Sequence, residues 1–455
     1  MPTAYTILFL LLILVAAATW IIPAGSYDYV DGVPVAGTYH TVEQNPQGVG
    51  DVLKAAFSGF YDAVDVCIFI LMVGGFLGVV MKTGAVDAGV GNVIRLLGGR
   101  EKWLIPILML LFGLGGTTYG MWEETMAFYP LLIPVFLAAG YDAVVGISVI
   151  LLGAGAGVIA STVNPFATGI AAGFAGVSLG EGIVLRLLEW VAFEAAAIWF
   201  VMAYAAKVKK NPSKSVVGVG AGKIQVSMDQ QVPFTAKRKV IMALFTLTFL
   251  IMVYAVVPFD EMGLPLPTLG WWFPELSALF LVAGVVIGLI DRMSEEELVE
   301  IYVAGCADLL GVAFIIGISR GITVLMNDGA ITDTVLHWGE QALSGAGAIS
   351  FTLLVFALYL PLTILIPSSS GLATLSIPIV APLGKFAGVG GDLVVTAFQS
   401  ASGLVNIITP TAAVVMGALA LGHVPYDRWV KYVWKLILWF LLLALAFLVA
   451  GVLLG

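Results

Sequence analysis

Apolar stretches long enough to cross a bilayer recur along this chain, and that repetition limits the fold more than any motif does. A helix needs about 20 mainly apolar residues to span the hydrocarbon. Such stretches run from Thr6 to Ile22, Asp62 to Met81, Ile183 to Ala206, Val240 to Val257, Leu276 to Ile290, about Tyr302 to Leu325, and Val433 to Leu454. Of the 455 residues, 60% are hydrophobic and only 11% charged, where a soluble domain carries about 25% charged residues. The chain therefore reads as an all-α polytopic membrane protein. Thr6 to Ile22 has a possible signal-peptide cleavage site at Ala16-Ala17-Ala18 but no basic segment before it, so it reads as a retained first helix. A polar loop, Ala24 to Phe60, follows it, and Thr83 to Arg100 reads as a short interfacial helix.

Four further apolar regions are interrupted, and the interruptions match in pairs. Trp103 to Ala138 breaks at Gly115 to Gly120, and Ile349 to Phe386 breaks at Pro367 to Gly371. Each break leads into an arm with two prolines four apart, Pro130 and Pro134 in one, Pro378 and Pro382 in the other. Ala143 to Val177 and Leu393 to Leu421 are broken helices, interrupted near Gly153 to Pro165 and near Thr409-Pro410. Matched positions stand 245 to 248 residues apart. The first hairpin's arms, roughly 14 and 18 residues, are about 21 and 27 Å long as helix, which favours a re-entrant hairpin over two spans.

These elements assemble into an expected inverted repeat, with three spans plus one re-entrant hairpin in each half. The total is about nine spanning helices and two hairpins, with two helices broken at mid-membrane. Residues 1–60 hold the first helix and outer loop. Repeat 1 is 61–207, with its hairpin at 103–138 and broken helix at 143–177. A cytoplasmic linker and two connecting spans fill 208–297. Repeat 2 is 298–455, with its hairpin at 349–386 and broken helix at 393–421. With the N-terminus inside, sixteen Lys and Arg fall on the cytoplasmic side and three outside, namely Lys54, Arg186 and Lys385, as the positive-inside rule requires. This places the N-terminus in the cytoplasm and the C-terminus outside a cell (inner) membrane.

Unwound backbone at membrane depth survives only where protein or a polar cavity satisfies it, and paired breaks point to a transporter's binding site. The expected substrate-binding residues are Thr118, Gly120, Glu123, Glu124 and Asn164 in the first half, with Ser369, Ser370, Gly371, Asn406 and Thr409 in the second. Sodium is a possible ion, with Thr117, Ser161, Thr162, Ser368 and Ser402 as candidate ligands, since hydroxyl and carbonyl oxygens suit it. Any one of these hydroxyls could instead cap or cross-link helices. Glu123 and Glu124 have neutral counterparts in the second half. They fit a ligand for a cationic solute, a proton-coupling group, or an exposed hairpin tip. Glu189, Glu194, Asp308 and Arg320 also fall inside apolar spans, and Arg320 is expected to pair with Asp308, twelve residues earlier.

Several function classes are excluded. No nucleophile with a base in reach appears, and the three histidines, His40, His337 and His423, are scattered, so the chain reads as no enzyme. No basic patch interleaved with aromatics suggests nucleic acid. Cys67 and Cys306 read as small buried hydrophobes. A channel would need a continuous polar pore, which paired hairpins argue against.

Trp20-Ile-Ile-Pro-Ala-Gly-Ser-Tyr27, Gly120-Met-Trp-Glu-Glu124, Asn164-Pro-Phe-Ala-Thr-Gly169, Pro367-Ser-Ser-Ser-Gly371 and Ile408-Thr-Pro-Thr411 resemble the YfcC family. That family is named for basic amino acid antiport and is similar to arginine–ornithine exchangers of the ion transporter superfamily. The resemblance implies a scaffold domain, a mobile transport domain, elevator-like movement and a homodimer. Where family members often read Gln-x-Gly-Asp-Gly, this chain has Gln399-Ser-Ala-Ser-Gly403. The expected function is secondary transport of a cationic amino acid such as arginine or ornithine, by exchange or ion coupling. The alternative is a sodium-coupled carboxylate symporter of the C4-dicarboxylate type.

Overall fold

The computed structural model describes residues 4–31, 33–86, 88–89, 100–178, 180–218, 233–256, 259 and 265–454. Most of the expected interfacial helix at Thr83 to Arg100, and part of the linker at Lys207 to Lys239, lie outside them. Among the described residues the chain is helical almost throughout, with 17 α-helices. Five of these are both long and apolar enough to cross a membrane by themselves.

One set of helices gathers around a single long rod. Helix α11 (Glu295–Asp328) starts at Ser294, whose side chain accepts a hydrogen bond from the Glu297 amide, and Glu295, Glu296 and Glu297 fill its first turn. Acids there complement the helix dipole. Its 34 residues make a rod about 51 Å long. Against it lie α1 (Ala4–Ala18), α2 (Val49–Asp62) and α3 (Val64–Lys82). Helices α9 (Ala236–Val256) and α10 (Phe273–Asp291) close this set through α3. Phe69, Phe76, Phe245, Phe249 and Phe280 pack together at their junction, Phe280 edge to face with Phe69, Phe76 and Phe249, and Phe76 parallel to Phe245.

The α11 seam is made of glycine. A Cβ on Gly74 would come within 2.5 Å of the Gly305 carbonyl, and one on Gly59 would strike the backbone at Gly317 and Gly321. Without side chains the backbones approach closely, which drives helix association in lipid. Val49 to Lys82 and α11 are displaced by 246 residues at both ends, 49 against 295 and 82 against 328. The two run antiparallel, since Gly59 meets Gly317 while Gly74 meets Gly305.

The expected loop at Ala24 to Phe60 is corrected by this arrangement. Its first part folds into two short antiparallel pairs, Gly25–Ser26 with His40–Thr41 and Tyr29–Val30 with Val33–Pro34. Its second part is α2, which buries Val52, Ala55, Ala56 and Gly59. The segment between α11 and the apolar region that begins at Ile349 also holds a helix, α12 (Thr332–Leu343). The strands are tied to it: the Tyr27 amide donates to Asp333, and Tyr39 stacks on His337 with ring centroids 4.0 Å apart. Burial and the Asp333 carboxylate push the Tyr29 phenol up, keeping it a donor to Asp333.

The second set holds all the breaks. Helices α4 (Leu104–Tyr119) and α5 (Tyr129–Ala138) both lie on α6 (Ala143–Ile159), which continues after an interruption as α7 (Ile170–Ala175). Helices α13 (Ala348–Leu365) and α14 (Ser369–Phe386) lie in the same way on α15 (Gly391–Asn406), which continues as α16 (Ala413–Leu421). Helices α8 (Ile183–Lys210) and α17 (Tyr426–Leu454) back them. The first break falls later than its glycines suggested, because Gly153 to Gly157 is helical. Gly153 lets the backbone at Met109 approach, and Gly157 does the same for Gly113. They serve close packing rather than unwinding.

Candidate functional site

The α4–α5 tip is clasped to the first break by two threonines. Thr117 Oγ1 donates to the Ala160 carbonyl at 2.8 Å, and Thr162 Oγ1 donates to the Thr117 carbonyl at 2.9 Å. The Thr162 amide in turn donates to Thr117 Oγ1. Gly120 then turns the chain with φ of +77°, and a side chain there would collide with Asn164. Left-handed backbone is open to glycine at little cost. Asn164 is buried and accepts from the Ala167 amide at 3.3 Å, capping the segment that leads into α7. Glu123 and Glu124 begin the 3₁₀ turn of Glu123–Phe128, where Glu124 Oε2 accepts from the Trp122 amide at 3.1 Å.

The second tip is built around a helix N-terminus. Ser368 caps α14 and accepts from the Gly371 amide at 3.2 Å, so Ser369, Ser370 and Gly371 form the first turn. The second break exposes carbonyls that two side chains of α17 recover. Trp429 Nε1 donates to Ile407 at 3.1 Å and the Tyr426 hydroxyl to Ile408 at 2.7 Å. Thr409 and Thr411 share a hydroxyl contact at 2.8 Å. The broken helices also touch each other, since Gln399 Nε2 donates to the Val158 carbonyl at 2.7 Å.

One cavity of about 160 Å³ collects the polar ends. The first half contributes Gly120, Glu123, Glu124 and Asn164, and the second contributes Ser368, Ser369, Ser370 and Asn406. The other expected residues stand outside its lining. Thr117 and Thr162 form the clasp, and Thr118 donates to Leu114 of its own helix. Gly371 and Thr409 are not in the lining but adjoin it in sequence, next to Ser370 and two residues before Thr411. Ser161 and Ser402 are buried, and among the described residues the Ser161 hydroxyl meets no partner. A larger cavity of about 790 Å³ lies between α1, α11, α16 and α17, with Asp308 and His423 in its wall but neither tip. The smaller cavity, which brings both tips and both breaks together, is the candidate site.

Residues of the α11 set complete the wall, and sequence reasoning missed them. Trp272, Ser319 and Arg320 line the cavity together with Trp122 of the first tip. Arg320 does not pair with Asp308. Twelve residues along a helix is about 18 Å, beyond any direct contact. Its Nε instead lies 3.7 Å from Asp62 Oδ2, and Asp62 stands 246 residues before Asp308. Ser319 donates to the Thr411 carbonyl at 2.6 Å, tying α11 to the second break.

The site thus combines two carboxylates, one guanidinium and the N-termini of α14 and α16, whose free amides attract negative groups. Apolar helices in multiple passes, with broken helices around a polar cavity, place the chain among the membrane transporters. The chain belongs to the family described as DcuC: C4-dicarboxylate anaerobic carrier, which matches residues 1–453. It is 35% identical to an uncharacterized protein of Haemophilus influenzae, covering 99% of this chain and 97% of that one. It is 31% identical to a protein of Escherichia coli named "Putative basic amino acid antiporter YfcC", covering 95% and 92%. The resemblance to the YfcC family therefore holds. Among solved structures, the YdaH transporter of Alcanivorax borkumensis aligns over 98% of each chain, with 15% identity and a TM-score of 0.45.

Proposed function

We propose that the chain is a secondary transporter of a cationic amino acid such as arginine or ornithine, working by exchange or ion coupling. The observation that carries this reading is the placing of Glu123 and Glu124 in the wall of the cavity that also holds both hairpin tips. Ammonium or guanidinium groups bind carboxylates by charge-assisted hydrogen bonds. A carboxylate on the same solute suits the N-termini of α14 and α16. The name of the E. coli relative supports the same class. The runner-up, a sodium-coupled carboxylate symporter, is favoured by those same N-termini and by the family's description. Among the described residues the buried Ser161 hydroxyl has no hydrogen-bond partner, which on that reading leaves it available to a sodium ion.

Movement is proposed to be of the elevator type, in a homodimer in the inner membrane. The α11 set would stand still, while the set carrying the breaks slides past it. The 246-residue correspondence and the antiparallel seam support an inverted repeat with re-entrant hairpins. Helix α13 is itself long enough to span, so the hairpin reading rests on the two tips sharing one cavity.

Uptake into proteoliposomes tests the substrate. Arginine and ornithine are expected to enter or exchange, and a C4-dicarboxylate is not. Glu123→Gln and Glu124→Gln are each expected to weaken arginine transport about 10- to 100-fold, from the loss of one hydrogen bond to a charged group. Dicarboxylate uptake without arginine uptake would establish the runner-up instead.

A further inference from the structure

Arg320 is an unusual wall residue. It stands on α11, the rod of the set that carries no break, yet it lines the cavity beside both tips. Its side chain is 24% exposed, and its one ion pair among the described residues is a loose contact of Nε with Asp62 at 3.7 Å. Asp62 is half exposed, so solvent screens the pair and it contributes little. Among the described residues the guanidinium donates no hydrogen bond. Its five N–H donors, set in a planar fork, belong to a residue that lines the cavity, and none of its nitrogens is both buried and unpartnered among the described residues, so an anion entering the cavity can reach them. A guanidinium presents two parallel donors to a carboxylate, a geometry that an ammonium cannot match.

The surroundings narrow the partner. Glu123 and Arg320 both line the cavity, and among the described residues Arg320 pairs within 4 Å with Asp62 rather than with Glu123. The cavity therefore offers opposite charges at separate places, an arrangement suited to a solute that carries both signs.

We propose that Arg320 binds the substrate's α-carboxylate and so restricts this transporter to α-amino acids, against amines of the same shape. The proposal rests on the cationic amino acid reading. In it Nε stays on the side of Asp62, and the Nη1–Nη2 edge receives the carboxylate. Glu123 and Glu124 take the cationic end. A neutralising partner for Glu123 would be the alternative role, and it predicts a different ligand dependence.

Binding to the purified full chain in detergent, measured by calorimetry, separates these roles. The ligands are arginine, agmatine (the same cation without the carboxylate) and succinate. The unmodified protein is expected to bind arginine at least tenfold more tightly than agmatine. Arg320→Gln is expected to weaken arginine binding about 10- to 100-fold and to leave agmatine within about twofold, which also shows the variant folded. Arg320→Lys is expected to recover part of the arginine affinity, since it keeps the charge and loses the fork. Equal weakening of arginine and agmatine, or no weakening of either, overturns the role of Arg320. If the unmodified protein binds succinate and neither cation, the cationic reading falls. The Arg320 claim is then decided by whether Arg320→Gln loses succinate.

Discussion

Glu194 of α8 is buried, and neither carboxylate oxygen has a partner among the described residues. It lies against Gly113 of α4, where any side chain would strike its carboxylate. An unpaired charge at membrane depth is expensive, so the group is expected to be a stability liability in this conformation. Replacing an unsatisfied polar group by an apolar one of similar size stabilises. Glu194→Leu is therefore expected to raise the melting temperature of the detergent-purified protein by roughly 2–5 °C. A fall in melting temperature would show that the carboxylate has a partner. Loss of transport with raised stability would mark Glu194 as part of the coupling machinery. At this scale the sequence was legible where charge interrupts an apolar stretch, as at Glu123 and Glu124. It was not legible where a partner lies on another helix. Spacing along one helix suggested Asp308 for Arg320, whereas the neighbour that matters, Asp62, arrives from α2. The hydroxyls were visible as polar breaks, but whether Thr117 holds a solute or the Ala160 carbonyl depends on a contact 43 residues away.

Helix α2 shows what one element can hide. Its exposed side carries Val49, Leu53, Phe57 and Tyr61, and its buried side is small, so no apolar run announces it. Its match to the start of α11 becomes evident only when the two are seen side by side. Gly59→Ala puts a methyl group against the α11 backbone at Gly317 and Gly321, and overpacking of this kind costs about 1–3 kcal/mol. Gly50, in the same helix, has nothing within 4 Å of its missing Cβ. There alanine is expected to stabilise, by up to about 1 kcal/mol from helix propensity. Thermal melts of the two variants should shift in opposite directions. Equal shifts would show that the glycine seam contributes nothing specific. The turns between α4 and α5 and between α13 and α14, and the breaks after α6 and α15, were better marked in the sequence, since proline and glycine punctuate them. Gly153 to Gly157 misled because glycine serves close approach as readily as it serves unwinding.

At the scale of the whole molecule, the helical, multi-pass character followed from composition, while the division into two sets needed tertiary contacts that no composition records. Two measurements address what is proposed for the whole. In a background with Cys67 and Cys306 replaced by alanine, Glu43→Cys should react with an impermeant maleimide from outside intact cells. Ser213→Cys should react only after permeabilisation. The reverse pattern would invert the topology and remove the charge argument for it. Val312 of α11 and Met416 of α16 face the same large cavity from opposite sets. A short bismaleimide joining cysteines at these two positions is expected to stop transport while leaving arginine binding intact. Unimpaired transport in the cross-linked protein would exclude sliding of one set past the other. The glycine seam also has a consequence for how the protein is made. Helix α3 is complete when residue 82 emerges, but 212 further residues precede α11. At roughly 5–20 residues per second, that is a wait of about 10–40 s. During it, the bare backbone at Gly74, Gly75 and Gly78 has lipid or a borrowed helix for company. The seam thus closes long after its first helix is made, and a chain cut short before Glu295 is expected to be cleared by membrane proteolysis rather than to accumulate.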